Sequence, residues 1–130
     1  MTLGFQTELV IRAKAGSDSV WILDEPLIYY SKTAGRIEVP PGFETDLAST
    51  PRVPVIYGLW GDRVHREAVL HDYNYRSDSI PIVSRDQADD VFLEAMESRG
   101  VTWWIRYPMY LGVRCGGGGS YHQRLVGASL

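Results

Sequence analysis

The chain reads as an α+β protein, with a small N-terminal antiparallel β-sheet, a long ordered loop, then two to three packed helices. Three observations predict this. The first third consists of short runs rich in Val, Ile, Tyr, Phe and Thr, separated by turn clusters such as Ala15-Gly16-Ser17-Asp18 and Ala34-Gly35. The second half switches to a helical period, with Val64, Ala68, His71 and Tyr75 at i, i+4, i+7 and i+11. Between them, residues 43–61 keep no period and carry Pro51, Pro54, Gly58 and Gly61. A stretch that long without periodic structure is uncommon in a compact domain and is often functional.

Taken in order, residues 3–13 alternate loosely and are expected to form one strand. Residues 19–31 supply two short strands, or one broken at Pro26, because proline cannot donate to a ladder. Arg36-Ile37-Glu38-Val39 is a further strand, ended by Pro40-Pro41-Gly42. The first helix is expected from Asp62, as N-cap, to about Arg76. Ser77-Asp78-Ser79-Ile80-Pro81 breaks it. Ser84-Arg85-Asp86-Gln87 has a capping-box pattern and opens a second helix that runs to about Arg99, where Gly100 stops it. Its apolar stripe is Ala88, Val91, Phe92, Ala95 and Met96, with Asp89 at the margin. Thr102 caps a third helix, Trp103 to about Arg114, containing Pro108. Residues 116–120 are a Gly-rich linker by composition, and 121–130 form a tail with no evident element.

The length of 130 residues suggests one domain, 1–115, divided into a β-rich part (1–42), a functional loop (43–61) and a helical part (62–114), followed by the linker and tail, 116–130. The apolar fraction is 45% and the charged fraction 22%, which excludes a disordered chain. The net charge is −3 and no basic run is long, so no nucleic-acid partner is expected. The single cysteine, Cys115, excludes an internal disulfide framework. No N-terminal signal pattern is visible. The apolar window from Val101 to Val113 is interrupted by Arg106 and Pro108 and is too short to span a bilayer.

The chemistry centres on His71-Asp72-Tyr73-Asn74-Tyr75-Arg76 and on Ala88-Asp89-Asp90-Val91-Phe92. His71 and Tyr75 share the apolar face of their helix, so both point inward. Two antiparallel helices joined by a short loop would bring His71 opposite Asp89. An imidazole facing a carboxylate is the base–orienter half of a hydrolytic site. No serine is poised as a nucleophile, so water would be the proton source. The developing oxyanion then needs a positive partner. Asp72 could supply one through a hard cation such as Ca²⁺, with a second carboxylate, Asp46, in Thr45-Asp46-Leu47. The bland readings are a satisfied core histidine for His71 and an Asx-turn for Asp46. Asp90 fits a solvated helix position, and His65 faces elsewhere. Arg52, Arg76 and Arg85 suit surface salt bridges better than a phosphate site. Trp103-Trp104 with Ile105, Tyr107, Met109 and Tyr110 suits core or a protein–protein anchor better than a membrane interface.

The two segments together resemble the two-helix core of small phospholipase A2 enzymes, most closely the bacterial and parvoviral ones. That resemblance implies His71 as general base, Asp89 as its partner and Tyr75 as a brace on the aspartate. It also implies a calcium site of Asp72, Asp46 and the Leu47 carbonyl, in a segment 45–51 like the bacterial calcium loop. The cysteines that tie the helices of secreted phospholipases are absent, as is a clear Tyr-Gly-x-Gly loop. Across more of the chain, Phe43-Glu44-Thr45-Asp46-Leu47-Ala48-Ser49-Thr50-Pro51-Arg52, the His-Asp stretch and residues 84–92 resemble a phage and prophage family of unknown function, the one numbered 1353. It implies a viral or prophage origin and brings no established activity. Without a signal pattern the chain is expected to be made in the host cytoplasm, and the virion is one destination that such an origin opens.

Two function classes follow as expectations. One is a phage-encoded, Ca²⁺-dependent lipid esterase acting on membrane lipid. The other is a non-catalytic tail or baseplate protein in which the cluster is a buried polar network. A metal phosphohydrolase of the His-Asp type would need further histidines on a larger helical bundle.

Overall fold

The computed structural model describes residues 2–47, 64–116 and 121–130. The strands are β1 (Gly4–Phe5), β2 (Ile11–Ala13), β3 (Trp21–Leu23), β4 (Leu27–Ser31), β5 (Gly35–Val39) and β6 (Glu44–Thr45). The helices are α1 (His65–Asn74), α2 (Arg85–Ser98) and α3 (Trp103–Gly116). The fold is α+β, with its strands N-terminal to its helices.

The strands form two three-stranded antiparallel sheets rather than one, in the orders β1-β4-β5 and β2-β3-β6. The expected strand over residues 3–13 is accordingly split, with its two ends in different sheets. Thr7 marks the crossing. Its hydroxyl donates to the Pro26 carbonyl at 3.0 Å and accepts from Ile28 N at 2.9 Å, doing through a side chain what a ladder bond would do. The break at Pro26 separates β3 from β4, the two-strand alternative. Strand β6 lies at the head of the stretch expected to be loop, paired with β3 through Trp21 opposite Thr45.

Alternation sets which side chains enter the core. Leu27, Tyr29 and Ser31 of β4 are buried, and so are Ile37 and Val39 of β5. With Leu23 and Phe43, the apolar ones among them meet Val69, Leu70 and Tyr73 of α1 and Val91 and Ala95 of α2. A second cluster lies on the other side of α2, where Phe92 and Met96 meet Ile105, Met109 and Val113 of α3, together with Val64 and Val101. Helix α2 is therefore the middle layer.

The helix ends follow local chemistry. Ser84 Oγ accepts from Gln87 N at 3.1 Å, the N-cap half of the expected capping box. Gly100, at φ 76°, takes the left-handed turn after α2. Helix α1 begins at His65 after Val64, later than the expected start; Asp62, the expected cap, lies outside the described residues, as do residues 48–61 of the expected loop. Seven of the ten residues of α1 are buried, including Glu67. Burial raises the Glu67 carboxyl above its ordinary range, against the pull of Arg99, whose Nη1 lies 2.6 Å from it.

The third helix divides one expectation: of the six residues read as core or a protein–protein anchor, Ile105 and Met109 are core. Its buried stripe is Ile105, Met109 and Val113, while Trp103, Trp104 and Tyr107 are exposed. The aromatic cluster is therefore not core, because the i, i+4, i+8 aliphatic positions already fill the contact with α2. Among the described residues no helix is long and apolar enough to cross a membrane.

Candidate active site

The helix pair brings together the residues at the centre of the expected site. His71 Nε2 and Asp89 Oδ1 are 2.6 Å apart, with 2% and 0% of their side chains exposed. Tyr75 OH donates to the same Oδ1, also at 2.6 Å. Three features of the sequence produce this. His71 and Tyr75 are one turn apart on α1, Asp89 sits in the second turn of α2, and the short connection makes the helices antiparallel neighbours. The His71 ring is held between Tyr75, at 4.2 Å between centroids, and Phe92, at 4.9 Å.

Asp89 is wholly buried, not marginal as its place on the helical wheel suggests. Arg114 Nη1, from the last turn of α3, lies 2.8 Å from its Oδ2, and Arg85 Nε is 3.9 Å away. Burial pushes the Asp89 carboxyl up, but hydrogen bonds from His71, Tyr75 and Arg114 outweigh it and hold the group below its ordinary range. Burial, together with the hydrogen bond to Asp89, pushes the Tyr75 phenol well above its ordinary value. Tyr75 is therefore a proton donor to an ionised Asp89. With Oδ1 accepting from Nε2–H, the neutral imidazole carries its lone pair on Nδ1.

The upstream segment docks beside this pair. Thr45 is buried, and its hydroxyl donates to Asp72 Oδ2 while accepting from Leu47 N at 3.1 Å. Leu47 takes φ 58°, an uncommon conformation for a branched side chain. One threonine thus ties the Asp46-Leu47 turn to the residue after His71. Asp72 and Asp46 each act electrostatically on Arg76. Among the described residues, no group of three or more His, Cys, Asp or Glu is gathered as for a metal ion. The oxygen donors named from sequence are two carboxylates and the Leu47 carbonyl, a set whose chemistry suits a hard cation.

Of the arginines, Arg85 makes an ion pair as expected, with Asp89, and Arg76 differs. Arg76 is buried, not a surface salt bridge. It donates to the carbonyls of Glu44 and Leu125, each at 3.1 Å, and lies 4.9 Å over the Phe43 ring. Arg85 donates to the Val113 carbonyl at 3.2 Å and to that of Arg114, satisfying the end of α3. Arg52 lies outside the described residues. Asp90 is exposed and accepts from Tyr110 OH at 3.1 Å.

Sequence reasoning missed Thr45 and Arg114. The i, i+4 spacing of Arg85 and Asp89 is a local signal for the weaker arginine contact. No local signal exists for Arg114, which reaches Asp89 only through the packing of α3. The tail was also unread. Tyr121 packs edge-on against Tyr75 at 5.2 Å and donates to the Val83 carbonyl, and His122 N donates to the Tyr75 carbonyl at 2.8 Å.

No curated protein and no solved structure matches the chain. A family model described as "Protein of unknown function (DUF1353)" matches residues 21–113. The matched span contains His71, Asp72, Tyr75, Asp89, Asp46 and Leu47 and stops one residue short of Arg114. Covering most of the 130 residues, that match makes this chain a member of the DUF1353 family.

Proposed function

We propose that this chain is a phage-encoded lipid esterase in which His71 activates water. The observation that carries the reading is the Asp89 oxygen shared by His71 Nε2 and Tyr75 OH, each at 2.6 Å. That arrangement fixes the imidazole's tautomer and orientation before any substrate arrives. Nδ1 takes a proton from water as the water oxygen bonds to the ester carbonyl carbon. Asp89 stabilises the imidazolium so formed. The imidazolium then returns the proton to the leaving alkoxide as the carbon–oxygen bond breaks, giving an alcohol and a carboxylic acid that ionises by releasing its proton to solvent. Asp46, Asp72 and the Leu47 carbonyl would hold a calcium ion, whose charge would stabilise the oxyanion.

A specific observation favours a second reading. The His71 and Asp89 side chains are almost fully buried, and Asp89 is already matched by Arg114. A fully satisfied buried network also serves a virion structural protein.

Calcium dependence separates the two. Fatty-acid release from phospholipid vesicles is expected to require added Ca²⁺ and to be lost in Asp72→Asn. Release unchanged by chelation and by that substitution would remove the cation from the proposal. No release under any condition would favour the structural reading.

A further inference from the structure

We infer that the outer face of α3 rests on an anionic phospholipid surface. Trp103, Tyr107 and Leu111 follow one another at i, i+4 and i+8, with Trp104 beside them. They are 67%, 45%, 58% and 50% exposed, respectively. On the opposite side of the same helix Ile105, Met109 and Val113 are buried against α2. The exposed stripe is thus not a by-product of a loosely held helix. It belongs to an element that is firmly seated through its other face.

Three features select lipid over a protein partner. Trp and Tyr carry an apolar body and a polar edge, which suits the headgroup boundary of a bilayer. The stripe lies along one convex helix. Four side chains fall short of the roughly 800 Å² per partner that a stable protein interface takes. The charge is complementary as well. In a chain of net charge −3, α3 contains Arg106 and Arg114 and no acidic residue. Arg114 is committed to Asp86 and Asp89. Arg106 flanks the stripe, donates to the Val101 carbonyl at 3.0 Å and lies 5.3 Å over the Tyr107 ring. No carboxylate among the described residues pairs with it. Its charge is therefore available to a lipid phosphate at the depth where the aromatic rings sit.

The inference stands whether or not the His71 site hydrolyses lipid, because it concerns binding alone. The test is flotation of the full chain with vesicles of phosphatidylcholine, alone or mixed with phosphatidylglycerol. Wild type is expected to float with the mixed vesicles and to be released by salt. The Trp103→Ser/Leu111→Ser double variant is expected to lose binding roughly tenfold or more, and Arg106→Gln roughly fivefold. Trp103 and Leu111 are exposed, so the double variant is expected to melt as wild type does. In wild type alone, brominated lipid is expected to quench tryptophan fluorescence, a readout that needs no variant. Wild type that stays unbound on both vesicle types and shows no quenching would overturn the inference. So would self-association in solution that the double variant abolishes, which would make a second copy the occupant.

Discussion

Asn74 closes α1 fully buried, and neither atom of its side-chain amide has a hydrogen-bond partner. An unsatisfied buried polar group costs about 1–3 kcal/mol. Asn74→Leu is therefore expected to stabilise the chain by about 1 kcal/mol or more, measured as a rise in Tm. A fall in Tm would mean that the amide is held by a contact worth more than its burial costs. Asp89 is the opposite case, a buried group with every partner in place. Its folded pKa lies below its unfolded value, so its ionisation stabilises the fold above about pH 4. That contribution is lost as the pH falls through the lowered folded value. Asp89→Asn is expected to destabilise the chain at neutral pH, because His71, Tyr75 and Arg114 lose the buried carboxylate they share. The variant is also expected to lose less stability than wild type on acidification. Denaturation across the acid range checks both statements, and parallel acid limbs in the two proteins would contradict them. At this scale His71, Tyr75 and Asp89 were legible because helical spacing alone puts an imidazole and a phenol on the buried face. Arg114 and Thr45 were not, since each reaches the site across a tertiary contact that no local period encodes.

Helix α3 divides into two faces, and substitution is expected to separate them. Met109 is fully buried between α2 and its own helix, so Met109→Ala is expected to cost about 2–5 kcal/mol through lost contact and a cavity. Leu111 lies two residues on and is exposed, so Leu111→Ala is expected to change stability by no more than about 0.5 kcal/mol. Chemical denaturation of both variants measures the difference, and similar losses would mean that the helix is seated on a different face. The capping serine at 84 and the terminating glycine at 100 were readable because caps are local chemistry. The division into two sheets was not. Residues 3–13 alternate as one strand would, and only Thr7, by bonding across to Pro26 and Ile28, shows where the chain leaves one sheet for the other. The run 103–110 was legible only in part, for a related reason. Periodicity identifies an amphipathic helix but not which of two apolar faces meets the core.

Across the whole molecule, α2 is the layer on which the rest is assembled. One side of it meets the sheets and α1, and the other meets α3. Asp89 lies where the three described helices meet, with His71 and Tyr75 from α1 and Arg114 from α3. The tail extends this assembly beyond the family-matched span. Ser77 N donates to the Arg124 carbonyl at 2.9 Å, and Lys14 Nζ donates to the Leu130 carbonyl at 3.2 Å, so the tail joins the end of α1 to the second sheet. Composition marked the glycine run before it but contained no sign of these contacts, which are mostly to backbone. The architecture serves either a catalyst or a scaffold, and the histidine distinguishes them. The most direct measurement is the rate of fatty-acid release from phospholipid vesicles in the presence of Ca²⁺, for wild type and for His71→Ala. If His71 activates water, wild type releases fatty acid and the variant falls by roughly a hundredfold or more. Equal release from the two, or none above background from either, would contradict it.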